Sequence, residues 1–251
     1  MRHARHFATL TPRAELIAVC SPVQAELDAA QNEFPGVRAY KDYETMLNSE
    51  KGLQAVVVAS ATTVHAEQAI KAIERGLHVL CEKPLSTSPE IVRSLPSKPS
   101  MKVESRSRLT SPQSQSVVDA YKTSIKKYPS QKVICGFSRR FDASYRDAHA
   151  RMASGHIGTP SVFRSQTCDK LDPSGFFVAY AEFSGGIFVD CSIHDIDLAL
   201  WFFGEETKVK SVTAVGITAV QPDLRKHNDR DNALGIIEFY VSIVYPYHRN
   251  Q

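Results

Sequence analysis

The chain has 251 residues, of which 43% are hydrophobic and 23% are charged, so it can bury one large core or two modest ones and is not a disordered tail. Its formal net charge is only +3, and scattered basic residues give no indication of binding to nucleic acid or to an anionic membrane. Small molecules are therefore the expected partners.

Cysteine spacing argues against a disulfide framework and against a metal site. The five cysteines are widely separated, include no C-x-x-C pair and are odd in number. Reduced thiols are typical of a cytoplasmic protein. The chain start has no apolar stretch of signal-peptide length, and no run approaches a membrane span, so we expect a cytoplasmic location without membrane contact.

The first half of the chain alternates strand and helix patterns. Its strands are continuous apolar runs, which favour a parallel sheet covered on both faces, and Gly76 is placed to end a helix. The sequence thus predicts an α/β, doubly wound domain. Strands are expected at residues 15–20, 53–59, 78–83 and 132–136, and helices at 24–34, 64–75 and 117–128.

A serine-, proline- and basic-rich segment interrupts this domain at residues 96–116. It has few apolar side chains with which to offset its ordering entropy, so we expect a surface insertion. The pattern changes after residue 136. We therefore expect the doubly wound domain at 1–136 and a second domain at 137–251.

The second domain is expected to be α+β, with an open sheet and few helices. The sequence predicts helices at residues 145–154 and 190–203, the latter amphipathic with an apolar stripe of Ile196, Leu200 and Phe203. Strands are predicted at 161–166, 209–217 and 233–240.

Polar residues follow two neighbouring predicted strands, where ligands bind in open α/β sheets. Ala61, Thr62 and His65 follow one strand, and Glu82 and Lys83 follow the next. Because the following proline disfavours helical geometry at Lys83, its amine can project from the strand tip. A solvated surface lysine and a histidine that only starts a helix are the simpler alternatives.

A second signal is the spacing of Asp190 and His194. Four residues apart in one helix, they would share a face, and a carboxylate beside an imidazole can orient a proton-transferring group. A helix-capping Asp190 with a hydrogen-bonded core histidine is equally compatible with this motif alone.

Together these segments resemble the Gfo/Idh/MocA family of sugar and polyol oxidoreductases. The resemblance rests on the E-K-P tripeptide at residues 82–84 and on the D-x-x-x-H pair at 190–194, preceded by Gly-Gly and followed by D-x-D-x-A-x-W. The segments GFSRRF, at 136–141, and SGHIGTP, at 154–160, also resemble family signatures, and the likeness extends from Arg2 to about Tyr240.

The resemblance implies hydride transfer between NAD or NADP and a sugar, inositol or related polyol, without a metal. It implies that Lys83 binds the reacting oxygen, that His194 exchanges its proton and that Asp190 orients substrate or imidazole. A homo-oligomer through the second-domain sheet is a further implication. The implied cofactor-side residues are Ser21, Ala61, Thr62, His65 and Glu82, and weaker substrate-side candidates are Arg164, Asp169 and Lys170.

Three features depart from the family pattern. The phosphate-binding G-x-G-x-x-G loop is absent from the printed sequence, and residues 241–251 look unrelated to the family sheet, so we expect an N- and C-terminally incomplete chain with an insertion at 96–116. Weak dinucleotide binding would follow. A non-catalytic cofactor or sugar sensor of the same fold, or an inactive fragment, is the alternative.

Ser21 bears on cofactor choice. It ends a predicted strand at the position where NAD-preferring relatives often carry an acidic residue. Because serine does not repel a 2′-phosphate, the sequence alone predicts that NADP is accepted at least as well as NAD.

Overall fold

The structure, a computed structural model, describes residues 2–87, 112–158 and 160–240. Residue contacts divide the chain into two compact units. The first comprises Met1–Ser86 with Gln113–Cys135, and the second comprises Thr87–Pro112 with Gly136–Gln251. Most of the predicted insertion, residues 96–111, lies outside the described residues. Among the helices that are described, none is long and apolar enough to cross a membrane.

Strands and helices alternate along the first unit, as the sequence predicts. The element bounds are α1 (Arg2–Ala8), β1 (Ala18–Cys20), α2 (Gln24–Glu33), β2 (Arg38–Tyr40), α3 (Tyr43–Ser49), β3 (Ala55–Val58), α4 (His65–Glu74), β4 (His78–Cys81), α5 (Pro112–Ser124) and β5 (Val133–Cys135). A short 3₁₀ turn, Thr62–Val64, precedes α4. The sequence patterns did not predict β2 and α3.

Every hydrogen-bonded strand pair in the described part of the first unit is parallel. β1 pairs with β2, and β3, β4 and β5 form a three-stranded sheet in that order. Val58 is the register partner of Cys81, so the segments that follow β3 and β4 leave the sheet side by side. The carboxyl ends of β3 and β4, called the sheet edge below, carry the first group of predicted site residues.

The core of the first unit forms where α4 packs on β3 and β4. Ile73, Ala69 and Ala72 of α4 are fully buried, and Val58 and Val79 are 2% exposed. Gly76, with φ of +78°, ends α4, and a Cβ there would lie 2.8 Å from the Tyr128 ring. In β3 and β4 buried residues alternate with more exposed ones, so one face of these strands is buried more completely than the other.

The second unit combines helices with one antiparallel sheet. Its elements are α6 (Ala143–Ala153), α7 (Phe176–Ser184), α8 (Ile187–Asp190), α9 (Ile193–Phe203), β6 (Val209–Ile217) and β7 (Asn232–Phe239). β6 pairs with β7 from Val209↔Phe239 to Ile217↔Asn232. The mixed architecture, parallel in the first unit and antiparallel in the second, confirms the predicted fold class.

Several element predictions are wrong in detail. Residues 161–166 form no strand, since this stretch has no ladder partner among the described residues, and Val162 is 84% exposed. The helix predicted from residue 117 begins at Pro112, so the last residues of the predicted insertion are helical. β1 is limited to its last three predicted residues.

The predicted helix at 190–203 is broken into two. Asp190 ends α8, and Cys191 and Ser192 separate it from α9, in which His194 is the second residue. The argument that Asp190 and His194 share one continuous helical face is therefore wrong. The buried positions of α9 are Asp197, Leu198 and Ala199, whereas the predicted stripe of Ile196, Leu200 and Phe203 is only partly buried.

Candidate functional site

The edge after β3 and β4 brings together five predicted site residues of the first unit. Thr62, 8% exposed, opens the 3₁₀ turn, and Ala61 precedes it with its side chain exposed. Glu82 continues from β4, where its N–H donates to the Val58 carbonyl at 2.8 Å. Lys83, partly buried, follows, and the Lys83–Pro84 peptide bond is cis.

His65 lies at the centre of this edge. It is 2% exposed, and its ring nitrogens face two main-chain carbonyl oxygens: Nδ1 is 2.9 Å from Pro84 O and Nε2 is 3.1 Å from Ser60 O. A ring in one neutral tautomer donates to one of these two acceptors. His65 thus bridges the segment after β3 and the segment after β4, a contact that sequence patterns do not predict.

Glu82 has an ionisable neighbour from the chain start. His3 Nε2 lies 2.6 Å from Glu82 Oε1, and both side chains are about one-third exposed, at 37% and 34%. Glu82 Oε2 also accepts the N–H of Lys83, at 3.4 Å, and the partly exposed carboxylate keeps acceptor capacity for a further hydroxyl. No sequence motif points to His3.

Ser21 follows β1 and is engaged by a carboxylate. Its hydroxyl donates to Glu26 Oε2 at 2.5 Å and accepts the N–H of Val23 at 3.1 Å. Glu26 belongs to the first turn of α2, so a negative charge stands next to the residue that carried the cofactor argument. The position that ends the strand is Ser21, and no sequence motif links it to Glu26 in the following helix.

In the second unit, Asp190 and His194 lie on either side of the break between α8 and α9. The His194 ring makes an edge contact with Phe137, with ring centroids 6.4 Å apart. Cys191 Sγ lies 3.9 Å from an Asp190 carboxylate oxygen and 4.0 Å from an Asp169 carboxylate oxygen. Asp169 is therefore brought near Asp190, whereas Arg164 and Lys170 have exposed side chains.

The start of α9 is held by a network around Asp195. Its carboxylate accepts hydrogen bonds from Arg139, at 2.7 Å, from Thr167, at 2.8 Å, and from Ser165. Burial opposes ionisation, yet these hydrogen bonds hold the pKa of Asp195 below its usual range. Arg139 belongs to the GFSRRF segment, so that motif fixes the helix that carries His194.

The next turn of α9 carries a second arginine contact. Arg140 binds Asp197 through two hydrogen bonds, of 2.8 and 2.7 Å, and its guanidinium carbon lies 5.9 Å from the centre of the Trp201 ring. Asp197 is 6% exposed. The hydrogen bonds to Asp197 are the main cause of a raised pKa of Arg140, and the hydrogen bond to Glu205 raises this pKa further.

Glycines set the backbone that leads into α8. Gly185 and Gly186 have φ of +81° and +87°, a region that disfavours residues with a Cβ. Asp229, 6% exposed, accepts the N–H of Ile187 at 3.0 Å and caps this turn. The Gly-Gly pair thus positions the segment that ends in Asp190.

Comparison with known proteins gives two family matches. A model described as "Oxidoreductase family, NAD-binding Rossmann fold" matches residues 1–97, and one described as "GFO/IDH/MocA C-terminal domain" matches residues 145–245. Among curated relatives, scyllo-inositol 2-dehydrogenase (NAD(+)) of Bacillus subtilis is 32% identical over 94% of this chain. Myo-inositol 2-dehydrogenase of Thermotoga maritima is 30% identical over 90% of it.

Solved structures give the same result. Scyllo-inositol dehydrogenase from Lactobacillus casei, with bound NAD(H) and scyllo-inositol, superposes with a TM-score of 0.74 at 30% identity and covers 94% of this chain. The chain spans 60% and 58% of the two curated relatives and 62% of the L. casei chain.

Proposed function

The chain belongs to the Gfo/Idh/MocA oxidoreductase family, as its motifs predict, and on this basis we propose that it transfers hydride between NAD and an inositol or a related sugar or polyol. The observation that carries the proposal is that Lys83 leaves the carboxyl end of β4 beside the segment following β3. Ligands of open parallel sheets bind at this edge. Curated relatives that act on inositol support the substrate class.

We assign the chemistry to Lys83, His194 and Asp190. The Lys83 ammonium stabilises the developing alkoxide, His194 takes the hydroxyl proton during oxidation, and Asp190 orients the substrate or the imidazole. NAD, when bound, supplies the hydride acceptor at nicotinamide C4. In reduction, the His194 proton returns to the carbonyl oxygen.

First-unit residues fit the dinucleotide. Thr62 and Glu82 lie at the sheet edge, where hydroxyl and carboxylate groups suit a ribose, and Ser21 and Glu26 form a polar pair after β1. Since the Glu26 carboxylate would repel a 2′-phosphate, we propose NAD as the preferred cofactor, in contrast to the prediction from Ser21 alone. Removing this charge with Glu26→Gln should raise the ratio of NADPH to NADH affinity about tenfold.

Turnover is the direct test. The full chain, with NAD and either scyllo-inositol, myo-inositol or glucose, should form NADH, and we expect the inositols to give the higher kcat/KM. Lys83→Met and His194→Gln should each lower kcat by about 10²-fold or more, whereas Lys122→Met, on an exposed face of α5, should not. Binding of NADH without turnover of any polyol would favour a sensor of the same fold.

We also propose that the sheet of the second unit takes part in a homo-oligomer. Val215, Leu234 and Ile236 share one face of this sheet, because Val215 pairs with Leu234, and they are 62%, 61% and 57% exposed. Apolar patches on a sheet face are typical of subunit contacts. Val215→Lys should lower the molar mass measured by light scattering, and an unchanged mass would contradict this proposal.

A further inference from the structure

We propose that His65 is a positioning residue for Lys83 and acts through its Nδ1 contact to the Pro84 carbonyl; this inference rests on the proposed role of Lys83. The relevant observation is the buried bridge between Ser60 O and Pro84 O. The Pro84 carbonyl at one end of this bridge belongs to the residue directly after Lys83.

Burial makes this bridge effective. His65 is 2% exposed and starts α4, whose residues Ala69, Ala72 and Ile73 are fully buried in the core. Its ring is therefore anchored to the buried core of the first unit. A main-chain carbonyl held from such a side chain fixes the path of its neighbours.

The two contacts of His65 have different consequences. Pro84 O belongs to the segment that carries Lys83, whereas Ser60 O belongs to the segment after β3. If a reacting group must be held within about 0.5 Å, release of the Pro84 contact should misplace the Lys83 amine more than release of the Ser60 contact. A misplacement of about 1 Å can lower turnover by about 10²-fold.

Two substitutions separate these contacts. The amide nitrogen of asparagine occupies nearly the position of imidazole Nδ1, and that of glutamine nearly the position of Nε2. His65→Asn therefore keeps a donor next to Pro84 O, and His65→Gln keeps a donor next to Ser60 O. Both leave a polar side chain at the same buried site.

Gln131 provides a matched control at the opposite end of β4. It is 1% exposed, and its amide donates to the carbonyls of Ile73, at 2.9 Å, and Leu77, at 2.8 Å. Leu77 precedes β4, whereas Pro84 follows it. Gln131→Met thus removes a buried bridge between two carbonyls of the same unit without touching the Lys83 segment.

Steady-state kinetics of the full chain test the proposal. We expect His65→Gln to lower kcat by about 10²-fold, with KM for the polyol changed by less than about threefold. His65→Asn should retain at least about tenfold more activity than His65→Gln, and Gln131→Met, outside the site, should keep kcat within about threefold. Equal losses of kcat in both His65 variants and in Gln131→Met would overturn the proposal, because a general loss of stability would then explain them.

A second measurement does not depend on turnover. The rate at which an amine-reactive reagent labels Lys83, measured by mass spectrometry against Lys122, should rise at least about threefold in His65→Gln and stay unchanged in His65→Asn. An unchanged rate in His65→Gln would overturn the positioning role. If the unaltered chain has no dehydrogenase activity but this labelling pattern appears, the proposed function fails while the positioning of Lys83 by His65 stands.

Discussion

Helices α3, α4 and α5 of the first unit bury apolar residues in a core around Ile73, whereas α9 of the second unit is held by charged side chains in addition to its buried Leu198. In the first unit, α4 buries three fully inaccessible residues against β3 and β4. In the second, Arg139 and Arg140 bind Asp195 and Asp197 across more than fifty residues of sequence. Local sequence periodicity predicts which apolar residues are buried, but it does not predict ion pairs between distant residues.

The largest loss of stability is expected from a substitution in the apolar core. Ile73→Ala removes a fully buried side chain, and we expect a loss of about 3–4 kcal/mol in the free energy of unfolding of the first unit. Hydrogen exchange of peptides from β3, α4 and β4 measures this loss. Ile134→Ala, at a position 45% exposed on β5, is the control and should cost less than about 1 kcal/mol. Equal losses would show that burial does not distinguish these sites.

A smaller effect is expected from the charged contacts of the second unit. Arg140→Met leaves the buried Asp197 carboxylate without its main cation, and we expect a cost of about 2–3 kcal/mol, since Arg140 is 26% exposed. Trp201, the only tryptophan in the sequence, lies under Arg140 and reports urea unfolding by fluorescence. Glu205→Gln, which removes the exposed partner of the same arginine, should cost less than about 1 kcal/mol. A milder effect of Arg140→Met than of Glu205→Gln would contradict this account.

The same contrast explains which sequence predictions succeeded. The bounds of four elements, β3, β4, β5 and α4, were predicted within one or two residues. Apolar runs and the helix-ending Gly76 mark these segments in the sequence, and α4, β3 and β4 are buried in the core. The break at Cys191 and Ser192 was not predicted, because the helical pattern of the sequence continues through it. Contacts with the distant residues Asp229 and Arg139 hold the helices on either side of the break.

The candidate site was predictable to a similar degree. Motif position led to Lys83 and Glu82, and the structure puts them beside Thr62 and His65. The partner of Ser21, Glu26, and the bridge made by His65 depend on side-chain geometry, which spacing along the chain does not encode. The grouping of Lys83 with Asp190 and His194 stays a prediction.

The smallest change in stability is expected from an ionised cluster in the first unit. Glu50, 7% exposed, accepts hydrogen bonds of 2.5 Å from Arg38 and from the Tyr40 hydroxyl, and these lower its pKa to about 2. An unfolded glutamate titrates near pH 4.3, at about its ordinary pKa. Because the folded pKa is the lower one, the contribution of Glu50 to stability is fully present above about pH 4.3 and is lost as the pH falls towards about 2.

Glu50→Gln should therefore lower the urea midpoint of the first unit at pH 7, and the difference from the unaltered protein should shrink steadily between about pH 4.3 and about pH 2. Glu74→Gln makes the same change at an exposed position of α4 and controls for net charge. A difference that stays constant across this pH range would show that Glu50 acts through packing, so that the first unit relies on apolar burial even at its most polar point. A difference that vanishes at low pH would mean that ionic contacts support both units and that they differ only in how many such contacts they contain.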